Sequence, residues 1–197
     1  MSSKRALLYS TLISLAIAIV VEHRVFYDLT AINDDVRNQI YWMARFVDPS
    51  YFSNDYIASY FTQASMVSPV IGSLYQFLSH FADPKLTTQF LVFPIIILTT
   101  FFLFKAAELY AGSKYGFWVC FVFNLYIWTM KFTAGALPRS FFYLLFFLFL
   151  WVFAAKRWNW LVLCFILQAL IYPTAFFISL LTLIIEIVWT KNQQGKF

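Results

Sequence analysis

Two adjacent carboxylates, Asp34 and Asp35, follow directly after Asn33, and Arg37 stands three residues beyond the first of them. Neighbouring acids offer two kinds of chemistry. One carboxylate can take a proton from an attacking hydroxyl, and the pair can hold a divalent cation such as Mg or Mn. The same position also has a purely structural use, because acids in the first turn of a helix meet the positive end of its dipole. Asp55, directly after Asn54, carries the same two readings. Arg37 offers a guanidinium that fixes a phosphate or orients an aspartate, against a plain solvated helix charge. Tyr41 and Trp42 follow on the same predicted helix, with rings suited to stacking on a sugar or to anchoring at a membrane interface. A further guanidinium, Arg139, stands in the run Gly135-Ala136-Leu137-Pro138-Arg139-Ser140 between two apolar stretches. There it can grip the phosphate of a lipid carrier or cap a span by snorkelling. Inside the apolar runs the polar residues singled out are Asn124, Gln168 and Glu186. Gln168, one turn before Tyr172-Pro173, is expected to face the outer vestibule together with Tyr172, and Glu186 to reach the opposite surface.

The elements that position these groups are predicted to be membrane helices. Of the 197 residues, 62% are apolar, 22% are aromatic and only 12% are charged. A water-soluble fold cannot hide that much apolar surface. The expected fold is all-α and polytopic, a single membrane domain over residues 1–197 with about six transmembrane helices. The first span is 6–21, an outer loop occupies 22–85, five further spans fill 86–190, and 191–197 is a cytoplasmic tail. The candidate spans run Ala6 to Val21, Leu86 to Phe104, Tyr115 to Met130, Ser140 to Ala155, Trp158 to Ile171 and Thr174 to Trp189. An upright crossing takes about 20 residues, so several of these need flanking residues or a locally thinned bilayer. Lys4, Arg5, Lys105, Lys114, Lys156 and Arg157 hug span ends and short loops on one side, which places the N-terminus in the cytoplasm and the long loop outside.

The long loop itself reads as three short amphipathic helices lying along the membrane interface. Asn33 is a cap for the first, with a stripe of Val36, Ile40, Met43 and Val47, and Asp48-Pro49 stops it. Asn54 caps the second, with Ile57 and Phe61 on one side. Pro69 opens the third, striped by Val70, Leu74, Phe77, Leu78 and Phe81 and ended by Asp83-Pro84. Several function classes drop out. The net charge of +5 is spread over span ends rather than gathered on one element, so nucleic acid is not an expected partner. No phosphate loop, dinucleotide fingerprint, zinc-protease motif or Cys-x-x-Cys is present, and His23 and His80 are far apart. Cys120 and Cys164 lie within apolar runs and read as small buried hydrophobes. The run after Lys4 and Arg5 lacks a clear small-residue cleavage site and reads as a retained signal anchor.

The order of a first span, a long outer loop with early acids and interfacial helices, then short paired spans resembles the C-type glycosyltransferases, which use polyprenyl-phosphate-linked sugars. The residues that carry this resemblance are Asn33 to Met43, Pro49-Ser50-Tyr51-Phe52-Ser53-Asn54-Asp55-Tyr56, Leu137-Pro138-Arg139-Ser140 and Gln168-Ala169-Leu170-Ile171-Tyr172-Pro173. They are similar to bacterial, notably cyanobacterial, membrane proteins of this type. The resemblance implies that an aspartate of the first outer loop acts as general base or helps to bind a metal, while lipid phosphate leaves. On this sequence that place falls to Asp34 or Asp35, with Asp34 slightly preferred. Asp55 becomes a second acidic site and Arg139 a phosphate contact, and Arg37, Tyr41, Trp42, Gln168 and Tyr172 become substrate-binding candidates. The implied partners are the bilayer and a lipid-phosphate-linked sugar, and the implied location is the bacterial inner membrane. Family members usually carry more spans, often near a dozen, so the chain is expected to correspond to an N-terminal half. Two rival readings accompany this one: a non-catalytic membrane subunit or assembly factor docking on a second membrane subunit, and a small transporter, for which Asn124, Gln168 and Glu186 offer a thin polar path.

Overall fold

The computed structural model describes residues 2–28, 34–63, 68–129 and 133–194, without the side chains of Val25, Tyr27, Asp34, Trp128, Thr129 and 191–194. The expected cap Asn33, the span end Met130, Lys131 and the final residues from Gly195 lie outside the described residues. Within them, all regular structure is helical. The elements are α1 (Ser3–Val21), a single turn α2 (Arg24–Tyr27), α3 (Asp34–Ile40) continued by a 3₁₀ turn (Tyr41–Phe46), α4 (Tyr56–Gln63) and α5 (Pro69–Leu78). There follow α6 (Pro84–Phe90), α7 (Val92–Ala111), α8 (Ser113–Thr129), α9 (Phe142–Ala154), α10 (Trp158–Ile171) and α11 (Pro173–Gln194).

Among the described residues, three helices are long and apolar enough to cross a membrane: Ser3–Val21, the continuous α6–α7 rod Pro84–Ala111 of 28 residues, and Pro173–Thr190. Pro138–Ala154 and Trp158–Ile171 are apolar but shorter. The expected second span was too short at its end, because α7 runs on to Ala111 before Gly112, at φ 85°, turns the chain. A positive φ is open to glycine without a Cβ clash.

Small residues and carboxamides hold the bundle together. Ala6, Ser10, Ser14 and Ala18 recur every fourth residue of α1 and are at most 3% exposed, so one narrow face lets neighbouring backbones come close. Ser14 Oγ lies 2.5 Å from Thr100 Oγ1 on α7, and Asn124 Nδ2 on α8 donates to the same Thr100 oxygen at 3.3 Å and to Cys120 O at 2.8 Å. Gln168 on α10 repeats the device on the other side, donating from Nε2 to Leu145 O on α9 at 3.0 Å and to Ser179 Oγ on α11 at 2.9 Å. Asn124 thus ties α8 to α7, with Ser14 of α1 on the same threonine, and Gln168 ties three helices, where water is excluded and a polar group gains from a protein partner. At Gly116 an added Cβ would stand 3.1 Å from the Phe104 ring and 3.3 Å from Phe104 O, so glycine eases this close approach of α8 to α7. Along α9, Phe142, Phe146, Phe149 and Phe153 form a ladder of stacked rings at helical spacing.

The long loop between α1 and α6 packs as a cap on the bundle, and the faces differ from the expected stripes. Val36, Ile40 and Met43 are buried as the α-period predicts, but Val47 is 51% exposed and Trp42 is 5% exposed. The cause is the change of winding at Tyr41: three residues per turn rather than 3.6 rotates everything beyond it. On α5 the buried residues are Ile71 and Tyr75, whereas Phe77 and Phe81 of the expected stripe point outward, 61% and 77% exposed. The cap of α4 is Asp55 rather than Asn54: its Oδ1 accepts from Ile57 N at 2.8 Å and Ala58 N at 3.0 Å.

Candidate functional site

The chain arrives at the α8–α9 crossing through a backbone that turns left-handed twice, at Gly135 (φ 82°) and Ala136 (φ 48°). Tyr75 donates its hydroxyl to Ala136 O at 3.3 Å, fixing the crossing against α5. Burial pushes the Tyr75 hydroxyl well above the ordinary phenol range. Pro138 then opens a 3₁₀ turn over Pro138–Phe141, and Arg139 leaves this turn toward α3. Its Nη2 donates to Asp35 Oδ2 at 2.6 Å, joining residues 104 apart in sequence. The two side chains are 33% and 50% exposed. An ion pair so open to solvent is worth about 0–1 kcal/mol, so its effect is orientation more than stability.

Arg139 also lines a cleft of about 550 Å³ with Gln39, Pro69, Leu137, Tyr172 and Pro173. Ser68 closes one wall by donating its hydroxyl to Leu170 O at the end of α10. Arg139 Nε is buried with no partner among the described residues. The guanidinium is therefore held at one nitrogen by Asp35 while the residue lines the cleft, a group whose planar fork suits a phosphate or carboxylate oxygen. The cleft lies between the cap, the α8–α9 crossing and the α10–α11 corner, so no single element encodes it.

The expected site residues divide accordingly. Asp35, Arg139 and Tyr172 come together at one end of the bundle, with Tyr172 set edge-on against Phe142 at 6.2 Å. Asp34 opens α3 beside them, and its side chain lies outside the described residues. Arg37 lines a separate notch of about 80 Å³ with Tyr41, Asp83 and Lys85, away from Arg139. Tyr41 packs edge-on against Phe52 and Phe61 at 5.3 and 6.3 Å, and its hydroxyl is pushed up by burial first and by the Asp55 charge second. Trp42, expected as a sugar platform or interfacial anchor, is instead core: its indole N–H donates to Gln39 O at 2.8 Å. Gln168, expected at the vestibule, is fully buried in its staple, because an amide at that depth is driven to pair with neighbouring helices. Asp55 is committed to its cap. Arg45 clamps the loop after the 3₁₀ turn through the carbonyls of Tyr51 and Phe52 and the hydroxyls of Ser59 and Thr62.

No set of three or more His, Cys, Asp or Glu side chains converges among the described residues. Among the described residues the cation that faces Asp35 is the Arg139 guanidinium, and no step is derived through a metal. The residues missed by sequence reasoning are Ser68, Gln39 and Leu137 in the cleft, and Ser14 and Thr100 in the bundle. Of these Ser14 carried a legible signal, the four-residue spacing of small residues on α1. Comparison with known proteins gives no match, either to a family model, to a curated protein or to a solved structure.

Proposed function

We propose that the chain is a multi-pass membrane module of glycosyltransferase type, whose Arg139 cleft receives the phosphate of a lipid-linked sugar on the non-cytoplasmic face. The observation that carries this reading is the Asp35–Arg139 pair, which holds a guanidinium that also lines the cleft. In this reading α8, α9 and α10 cross the membrane with the three longer helices, six spans in all. The basic residues Lys4, Arg5, Lys105, Lys114, Lys156 and Arg157 lie at the end opposite Arg139, which supports the reading of a cytoplasmic N-terminus. The bacterial inner membrane is the location that fits.

The chemistry follows from charge. An acceptor hydroxyl attacks the anomeric carbon, a carboxylate of the Asp34–Asp35 pair takes its proton, and the sugar–phosphate C–O bond breaks with its electrons going to the lipid phosphate. Arg139 stabilises the charge that grows on that phosphate. Asp35 holds the guanidinium in place, which leaves Asp34 as the preferred base. The test is to purify the chain and measure binding of polyprenyl phosphate, and sugar transfer from polyprenyl-phosphate donors, for the wild type and for Arg139→Gln, Asp34→Ala and Asp35→Ala. Arg139→Gln is expected to weaken lipid-phosphate binding by about tenfold or more, the loss of one charge-assisted hydrogen bond. Binding and transfer that survive all three substitutions overturn the reading.

A second reading, a membrane subunit that docks on a larger partner, is favoured by α11. Only 11% of its membrane-length window is buried, against 44% for the α6–α7 rod. Phe177, Leu181, Ile185 and Val188 all face outward there. A stable complex recovered in mild detergent, without transfer activity, selects this reading.

A further inference from the structure

At the end of the bundle opposite Arg139, a cavity of about 610 Å³ opens between the C-terminal ends of α7, α9 and α11 and the start of α10. Its walls include Tyr110, Phe153, Lys156, Trp158, Leu183 and Glu186. Lys156 and Glu186 line the same space, yet no ion pair joins them. A cation and an anion that face one cavity without meeting leave room for a guest carrying both charges. The backbone adds a second observation. Helix α9 ends in a left-handed cap in which Arg157 N donates to Val152 O at 3.0 Å and Lys156 N to Phe153 O at 2.9 Å. Lys156 holds the positive-φ position of that cap, at φ 54°. Glycine is the usual occupant there, because a Cβ at that φ crowds the following carbonyl. A lysine kept at such a position projects its ammonium to the cavity rim by a route that fold stability disfavours. Around it stand aromatic rings, with Phe153 edge-on to Trp158 at 6.1 Å, and Arg157 is drawn aside over the Trp151 ring at 5.1 Å.

We infer that this cavity is a binding site for a zwitterionic phospholipid headgroup, with Lys156 taking the phosphate and Glu186 the amine. The aromatic wall of Tyr110, Phe153 and Trp158 suits both the cationic headgroup and the interfacial depth. Leu183 and its apolar neighbours on α11 continue the wall toward the acyl chains. The volume falls within the range of built small-ligand sites. Nothing in this inference depends on the Arg139 cleft; it needs only that the bundle lies in a bilayer.

The experiment titrates the purified full chain in mild detergent with short-chain phosphatidylethanolamine, phosphatidylcholine and phosphatidylglycerol. Lipid retention is read by native mass spectrometry and thermal shift. The two zwitterionic lipids are expected to bind about tenfold more tightly than phosphatidylglycerol. Glu186→Gln should erase that preference, and Lys156→Gly should weaken all three lipids while leaving the fold intact, since glycine relaxes the cap. Equal binding of the three lipids, or a preference that survives Glu186→Gln, overturns the proposal. Water-soluble phosphoethanolamine binding as tightly as the lipid overturns the assignment to a membrane lipid.

Discussion

At one end of the bundle Arg139 meets Asp35 at 2.6 Å between two segments far apart in the chain; at the other, Lys156 and Glu186 face one cavity and do not meet. Both ends place a basic side chain at the rim of an apolar bundle. The Arg139 end spends about fifty residues of loop on a cap whose buried Trp42, Met43 and Tyr75 carry Asp35 into reach. The Lys156 end has only short connections, and among the described residues the ion pair found there is the local one, Lys105–Glu108, at 2.9 Å. Connection length therefore decides which charges are satisfied within the chain and which are left to a guest.

That contrast is broken most forcefully by Trp42→Ala. Removing a fully packed indole costs about 3–5 kcal/mol. The loss should fall on the cap: hydrogen exchange in detergent is expected to rise over α3 to α5 while α7 and α8 stay protected, and uniform loss of protection would show that cap and bundle unfold as one unit. Gly116→Ala probes the other end. A Cβ set against the Phe104 ring and carbonyl overpacks the α7–α8 contact by about 1–3 kcal/mol, read as a lower unfolding midpoint. An unchanged midpoint would mean that the two helices separate freely there.

Tyr75→Phe is expected to cost about 1 kcal/mol at neutral pH, one hydrogen bond to Ala136 O. It also carries a pH signature. Burial holds the folded phenol neutral above its ordinary value, while the unfolded one ionises near pH ~10. The unfolded state then binds fewer protons, so Tyr75 makes stability fall as pH rises above that point. The difference in unfolding midpoint between wild type and Tyr75→Phe should narrow from pH 8 to pH 11. Asp35→Asn has the smallest effect on stability, at most about 1 kcal/mol for an exposed pair. A large drop in midpoint for this variant would make the pair a structural clasp rather than a poised one. Together with Arg139→Gln it separates the two ends, since neither variant should alter phospholipid retention at the Lys156 cavity.

Much of this architecture is legible in the residues. The apolar runs announce α1, α7, α8, α9, α10 and α11, and Pro69 marks a helix start, because proline fits the first turn, whereas Asp83-Pro84, expected as a helix end, opens α6. The buried faces of the cap were less legible. Val47 and Trp42 exchange places because a 3₁₀ turn replaces α winding, a choice that hydrophobic spacing alone does not reveal. Gln168 shows the same limit: polarity inside an apolar run signals that a partner is needed, without saying whether the partner is a guest or Leu145 O and Ser179 Oγ.

By itself the sequence determined that the chain is helical and apolar enough to enter a membrane, where its breaks fall, and which few charged groups stand near them. Composition and periodicity act locally, and these properties are local. Tertiary structure decided which charges meet. Asp35 reaches Arg139, while Arg37, with its equally suggestive spacing, turns to another notch, because the path of the cap over the bundle sets those distances. Contacts between residues a hundred positions apart depend on that whole path, and no window of sequence contains it.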